Sequence, residues 1–166
     1  MKKVYVAMSA DIIHQGHLNV LNEARKLGDV IVGLHTDKVI RGYWRNPIMK
    51  YEERKKVVEN IKGVIEVIPQ DILNQVPNLR KIKPDYVLHG DDWMEGDQRK
   101  IRDKVIEVLK EWDGKLVEVQ YTKGVSISKL EEQLYNIGIT PEQRMKSLKE
   151  LIYSKKHIRD RKSTRL

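Results

Sequence analysis

The run Val4-Tyr5-Val6-Ala7-Met8-Ser9-Ala10-Asp11-Ile12-Ile13-His14-Gln15-Gly16-His17, continuing into Leu18-Asn19-Val20-Leu21, passes from strand to helix through a short turn. Val4, Val6 and Met8 are apolar, with β-branched residues among them and no polar break, which predicts a strand. Leu18, Leu21, Ala24 and Leu27 recur at helical spacing, which predicts a helix. Between them stand two histidines three residues apart, with Gly16 in the interval. In an open parallel sheet, ligands sit at the carboxyl end of a strand and the start of the following helix. A helix N-terminus favours phosphate because its unpaired N–H groups and its dipole both face the anion. Two imidazoles there are placed to donate to phosphate oxygens. Two other readings stand beside this one. A histidine near a helix start often serves as a cap or a satisfied surface group. His-x-x-His also suits zinc, but the chain has no Cys, and no carboxylate precedes Glu23 on that helix.

The 166 residues are enough for one domain with a core of its own. Hydrophobic residues make up 40% and charged residues 34%, the balance of a soluble globular chain. No apolar run is long enough to predict a membrane span, and no membrane partner is expected. Met1-Lys2-Lys3 is basic, but the apolar run behind it is short and broken by Asp11, so a signal peptide is not expected. The lack of Cys excludes disulfide and thiolate chemistry and fits a cytoplasmic protein. The net charge of +8 favours anionic ligands. Much of it lies in the final residues from Lys155 to Arg165, which read as a solvated arm. Nucleic acid is a weaker expectation than nucleotide, since Phe is absent and aromatics are too few for a stacking platform.

Further strands are predicted over Asp29–Thr36, Val64–Pro69, Asp85–His89 and Lys115–Tyr121. The intervening helices are predicted over Tyr51–Ile61, over Asp71–Ile82 with a break at Pro77, and over Glu95–Trp112 with Ile101, Val105, Ile106 and Leu109 buried. Another is predicted from about Lys129 to Tyr135. Lys38 to Met49 reads as a basic loop, with Gly42, Asn46 and Pro47 as breakers. Ser126 and Ser128 are natural N-cap residues. Thr140, Pro141 and Gln143 open a last helix reaching about Tyr153. Alternating strands and helices imply a doubly wound α/β sheet of five parallel strands with helices on both faces. The expected division is a catalytic domain at 1–137 and a helix with a basic tail at 138–166.

Several motifs now fall in order. His14-Gln15-Gly16-His17 resembles the His-x-Gly-His signature of the nucleotidyltransferase superfamily. Asp11 stands where cytidylyltransferases such as those acting on glycerol-3-phosphate carry the Asp of a Gly-Thr-Phe-Asp opening. Tyr51-Glu52-Glu53-Arg54 is similar to their Tyr-x-x-Arg helix start, and Gly90-Asp91-Asp92-Trp93 to their Gly-Asp-Asp-Trp. Gly124-Val125-Ser126-Ile127-Ser128 is similar to the end of their Arg-Thr-Glu-Gly-Ile-Ser-Thr-Thr signature. The resemblance covers residues 3 to about 136. The chain departs from the pattern with Met8-Ser9-Ala10 in the opening. It departs again with Tyr121 for the Arg and Lys123 for the Glu of the last signature. The variant Tyr121-Thr122-x-Gly124-x-Ser126 looks more like cytidylyltransferases linked to phosphonate biosynthesis and often fused to phosphoenolpyruvate mutase. Residues 140–151 resemble the lead-in to such a mutase.

The resemblance implies a Rossmann-like fold, a homodimer, Mg²⁺, and transfer of CMP from CTP with release of pyrophosphate. The implied acceptor is a small phosphonate such as 2-aminoethylphosphonate; glycerol-3-phosphate, phosphocholine and phosphoethanolamine stand as alternatives. A fused or partner mutase is part of the same expectation. Catalytic roles fall to His14, His17, Arg54 and Lys38. Nucleotide contacts fall to Ser9, Ala10, Asp11, Gly16, Gly90, Asp92, Trp93, Thr122, Gly124, Ser126 and Ser128. Asp37, Arg41 and Tyr121 are expected at the acceptor, and Asp11 and Asp91 at the metal. For Trp93 plain core packing is the competing reading, and for Asp91 and Asp92 a simple turn. An adenylyltransferase of the same fold and a basic RNA-binding module on it are the other functional readings.

Overall fold

The structure is a computed structural model that describes residues 1–43, 45–94, 98–120, 122, 129–130, 132–133 and 141–153. The chain divides into two compact units, Met1–Val125 and Ser126–Leu166; the expected boundary at 137/138 lies within the second.

In the first unit β1 (Lys3–Met8), β2 (Asp29–His35), β3 (Val64–Gln70), β4 (Tyr86–Gly90) and β5 (Lys115–Val119) form one sheet in the order β3-β2-β1-β4-β5. Every neighbouring pair is parallel. Residues of β1 alternate between the two faces, as the pleat requires. Val4, Val6 and Met8 join a core with Leu21, Ala24 and Val58, from helices α1 (Gln15–Leu27) and α3 (Tyr51–Glu59). Tyr5 and Ala7 join a second core with Leu79, Val105, Val108 and Leu109, from α4 (Val76–Ile82) and α5 (Arg99–Leu109). Both faces are therefore covered, which is why β1 and β2 read as near-continuous apolar runs. Gly33 on β2 is where Tyr5 lies across the neighbouring strand: a Cβ there would collide with the phenol hydroxyl. That hydroxyl hydrogen-bonds to Gln70, and Asn78 donates to the same Gln70 oxygen at 2.8 Å.

Four element predictions need correction. Residues 38–49 are not all loop, because Asp37–Tyr43 forms a short helix, α2. Val39 and Ile40 bury under it, their N–H groups donate to Thr36 O, and Gly42 sits in open space. Burial of two β-branched side chains outweighs the roughly 1 kcal/mol a helical glycine costs. The second prediction placed a helix from Asp71, but α4 begins at Val76 with Pro77 in its first turn. The Gln70 amide donates to Ile72 O and Asn74 O and holds residues 71–75 in a non-helical path. The third correction is that α5 stops at Leu109 and tightens into a 3-10 turn over Lys110–Trp112, with Asp113 left-handed. Val108 takes the buried place assigned to Ile106. Strand β5 likewise ends at Val119, short of Tyr121.

Strand order reverses at β1, which pairs with β2 on one side and β4 on the other. The crevice beyond the carboxyl ends of β1 and β4 is the switch point of this topology. The turn to α1 and the Gly90-Asp91-Asp92-Trp93 segment both open there. In the second unit, α6 (Pro141–Tyr153) is a 13-residue helix, and residues 129–130 and 132–133 are also helical.

Candidate active site

His14 is the N-cap of α1, with extended backbone. Its Nδ1 accepts from Gly16 N at 3.1 Å, and His14 N donates to His17 Nδ1 at 3.3 Å. The two imidazoles thus cap the helix for each other in place of the usual Ser, Thr or Asp. Their ring centroids lie 3.9 Å apart. Burial, with His14 alongside, lowers the His17 pKa to about 4, and burial also lowers that of His14. Both rings are neutral near pH 7. A neutral ring whose Nδ1 accepts a proton carries its own hydrogen on Nε2. Each histidine therefore presents one Nε2–H donor at the end of a 13-residue helix. Space at Gly16 is tight: a Cβ there would lie 3.0 Å from His14 Cε1 and 3.1 Å from its Nδ1, so the ring would have to give by a few tenths of an ångström. Thr122, beyond β5, is tied to the same helix by Asn19, whose amide donates to its hydroxyl at 2.9 Å.

Arg54, expected among the catalytic residues, sits inside the fold. It is fully buried. Its Nη1 donates to Ser9 O at 2.6 Å and His35 O at 2.7 Å, Nε to Met49 O at 3.1 Å, and Nη2 to Asp37 Oδ1 at 2.6 Å. The guanidinium joins the ends of β1 and β2 to the starts of α2 and α3. Asp37, expected at the acceptor, is its ion-pair partner. Asp11, expected at the metal, is 1% exposed and also engaged. Its oxygens accept from Ile48 N at 2.9 and 3.0 Å, Met49 N at 2.9 Å and Arg45 Nη1 at 2.6 Å. Burial alone would raise its pKa, but the Met49 and Ile48 N–H groups and Arg45 hold it below the usual carboxylate value. The carboxylate fastens the segment before α3 onto the end of β1. Ala10, between Ser9 and Asp11, has φ 47°, a left-handed conformation that costs an L-residue about 1–2 kcal/mol. Lys38 and Arg41 are exposed on α2.

Trp93, expected among the nucleotide contacts, is 1% exposed. Its Nε1–H donates to Glu118 Oε1 at 2.8 Å, and the His89 ring stacks on it at 3.8 Å and 8°. Arg102 grips Glu118 through two bonds at 2.7 and 2.8 Å. The Arg102 bonds hold Glu118 below its usual pKa against the opposite push of burial. The indole is a wall of the crevice, in accord with the core-packing reading. Gly90 caps the 3-10 turn Asp91–Trp93, where Asp91 is half-buried and Asp92 contributes backbone. Tyr121, Gly124, Ser126 and Ser128 lie outside the described residues.

Sequence reasoning passed over His35 and His89. His35 ends β2, with Nδ1 3.1 Å from the Ser9 hydroxyl. Burial, then His89 and Arg54, lower its pKa to about 4. His89 is next to last on β4, its Nδ1 2.8 Å from Gly90 O. Both stand at strand carboxyl ends, the position that singled out His14 and His17.

A model of the cytidylyltransferase-like family matches residues 8–130, from the end of β1 past Thr122. The chain belongs to the cytidylyltransferase-like family. Its relatives include a FAD synthase from Ferroglobus placidus, 36% identical over 124 residues, 70% of this chain and 82% of that protein. A glycerol-3-phosphate cytidylyltransferase from Staphylococcus aureus is 31% identical over 137 residues, 81% of this chain and 96% of the other. An ethanolamine-phosphate cytidylyltransferase from Mus musculus is 37% identical over 123 residues, 72% of this chain and 29% of that longer protein. Among solved structures, the lipopolysaccharide core biosynthesis protein from Thermoplasma volcanium superposes with a TM-score of 0.63 at 25% identity. That match covers 74% of this chain and all but 1% of the other. This cytidylyltransferase-like chain is a nucleotidyltransferase, and the family's matched span holds the His14–His17 turn, Arg54 and the β4 end together. No helix among its described residues is long and apolar enough to cross a membrane.

Proposed function

We propose that this nucleotidyltransferase moves CMP from CTP to a small phosphonate or phosphate acceptor, with 2-aminoethylphosphonate the preferred one. The observation that carries the chemistry is the neutral His14–His17 pair with both Nε2–H donors at the start of α1. An acceptor oxygen attacks the α-phosphorus, a new P–O bond forms, and the bond to the pyrophosphate oxygen breaks. Negative charge grows on the equatorial and leaving oxygens, so fixed donors there lower the barrier. His14 and His17 donate to those oxygens, and the dipole of α1 adds to them. Arg54 positions and does not bind: it fixes the strand ends from which the crevice is built. Lys38 and Arg41 on α2 draw in the triphosphate and the acceptor.

Magnesium suits the triphosphate better than this protein. Asp11 has its oxygens engaged by Ile48, Met49 and Arg45. Among the described residues no group of three or more His, Cys, Asp or Glu is arranged to hold a metal. Mg²⁺ brought by the nucleotide would supply neutralisation of the phosphate charge, a role its preference for oxygen ligands suits.

The phosphonate acceptor is supported by the Tyr121-Thr122-x-Gly124-x-Ser126 variant and by the mutase-like lead-in at 140–151. The same likeness supports a phosphoenolpyruvate mutase as the fused or separate source of the phosphonate. A second reading, adenylyl transfer from ATP, is favoured by the FAD synthase relative. Pyrophosphate release tests both. Purified protein is given CTP or ATP with 2-aminoethylphosphonate, phosphoethanolamine, phosphocholine or glycerol-3-phosphate. Turnover of CTP with the phosphonate preferred is the expected result. Preference for a phosphate monoester removes the phosphonate reading and leaves the chemistry. Turnover with ATP alone overturns the choice of donor.

A further inference from the structure

Phosphoryl transfer in line puts the attacking oxygen opposite the leaving one. The leaving pyrophosphate lies against His14 and His17, on the α1 face of the sheet, so the acceptor arrives from the face covered by α4 and α5. Tyr5 and Ala7 belong to that face with Ile31 of β2, and Gly33 lies beneath the Tyr5 hydroxyl. Strand alternation then puts His35 there, beside the Ser9 hydroxyl. Helix α4 returns antiparallel to the parallel strands it joins, so it starts near their carboxyl ends. Gln75, its N-cap, has helical backbone. Gln75, Leu79 and Ile82 therefore recur at i, i+4 and i+7 on one stripe. Leu79 and Ile82 pack into the core on the sheet, and Gln75 continues the stripe toward the strand ends. Gln75 is 4% exposed, and its Oε1 has no hydrogen-bond partner among the described residues. A buried polar atom without a partner costs stability. The chain around it is firmly held. The Gln70 amide bonds to Ile72 O and Asn74 O, Asn78 donates to Pro69 O at 3.0 Å, and Leu79 N donates to Gln75 O at 3.0 Å.

We infer that Gln75 is a specificity-determining residue for the acceptor, its Oε1 accepting from an N–H or O–H at the end of the acceptor remote from phosphorus. Given transfer of CMP to a small phosphonate or phosphate, the reading on which this role rests, Gln75 selects the class of tail. 2-Aminoethylphosphonate and phosphoethanolamine carry an ammonium rich in N–H donors, and glycerol-3-phosphate carries hydroxyls. The trimethylammonium of phosphocholine has no N–H. It leaves Oε1 unpaired and fills the same space with methyl groups. A site built around a polar group rejects an analogue that cannot pair with it far more sharply than an apolar pocket rejects a change of size.

The test is pyrophosphate release by the full chain with CTP and each of the four acceptors, paired with thermal unfolding of the unliganded protein. Wild type is expected to favour 2-aminoethylphosphonate over phosphocholine about 100-fold in kcat/KM. Gln75→Met keeps the length of the side chain and removes the accepting oxygen. It is expected to raise KM for 2-aminoethylphosphonate about tenfold or more, to leave KM for CTP in place, and to narrow the gap to phosphocholine. Its Tm is expected to hold or rise, because an unpaired polar atom leaves the interior. Gln75→Glu puts a carboxylate at the same place and is expected to move preference toward the aminoethyl acceptors and away from glycerol-3-phosphate. A wild type indifferent to the tail, or a preference unmoved by Gln75→Met and Gln75→Glu, overturns the inference and leaves CMP transfer standing. A lowered Tm with KM for CTP and for acceptor rising together also overturns it, as the mark of a residue that only supports the fold. No pyrophosphate from wild type with any acceptor overturns the proposed function, and the role of Gln75 with it.

Discussion

Replacing Asp11 by Asn separates two jobs that a buried carboxylate beside a nucleotide crevice is able to do. The amide keeps one oxygen, which serves Ile48 N and Met49 N from the place of Oδ1. Its NH2 group then stands where Oδ2 was, 2.6 Å from Arg45 Nη1 in the native protein, donor against donor. The loss is one charge-assisted hydrogen bond, worth about 1.5–3 kcal/mol when well buried. The Arg45 side chain is 27% exposed, so the lower end applies. Forcing two donors apart adds about 1 kcal/mol. The expected destabilisation is therefore about 2–3 kcal/mol, or about 4–12 °C in Tm for a chain of this size. The segment from Arg45 to Lys50 loosens, and turnover falls with it. The assay pairs thermal unfolding without magnesium with pyrophosphate release across a magnesium titration. A latch predicts a lowered Tm and an unchanged magnesium midpoint. An unmoved Tm with a magnesium midpoint displaced about tenfold would refute the reasoning and return Asp11 to the metal.

Gly16→Ala is expected to leave Tm unchanged or slightly raised, since Ala favours helix. It lowers kcat about 10–100-fold, because its Cβ displaces the His14 ring; a proportional loss of both would count against the crowding argument. Arg54→Lys keeps the charge but leaves carbonyls at Ser9, His35 and Met49 short of a donor. Urea unfolding should register about 3–5 kcal/mol lost, whereas a phosphate-binding Arg54 would change KM and leave stability alone. Stability should fall in acid. His17 and His35 hold pKa values of about 4 in the fold against about 6.5 unfolded. Between those values the unfolded chain binds the extra protons, so stability rises with pH and drains away as pH drops from 6.5 toward 4. Two such groups amount to about 4 kcal/mol between pH 7 and pH 5, readable as a shift in urea midpoint; a flat profile would refute the buried neutral state of both.

The sheet was legible because buried parallel strands write long apolar runs, and the first turn because His-x-x-His with a glycine is rare at a strand end. Helix α2 was hidden: its two buried positions are adjacent, too few to show a period, and Lys38, Arg41 and Gly42 surround them. The place of Arg54 was illegible for another reason. An arginine in the first turn of a helix reads as exposed, and only the fold brings the carbonyls of Ser9 and His35, 26 residues apart in sequence, to one guanidinium. Trp93 offered no local sign of Glu118 and Arg102, which arrive from β5 and α5. His35 and His89 were within reach, since each stands at a strand end two residues before a carboxylate, Asp37 or Asp91, but each closes an apolar strand run and so reads as part of the strand.

The internal neutrality of the crevice has a kinetic consequence. Arg54 is matched by Asp37 and Arg45 by Asp11, and the capping imidazoles carry no charge. The long-range attraction for a polyanion then falls to solvated cations such as Lys38, Arg41 and Lys50, whose field dies within about 10 Å in 0.1 M salt. The rigid dipoles that meet the reacting phosphate act at contact distance, where mobile ions do not intervene. Capture and conversion are thus governed by different physics within one site: ionic strength slows the arrival of nucleotide, and leaves the bond exchange that follows to proceed at its own pace.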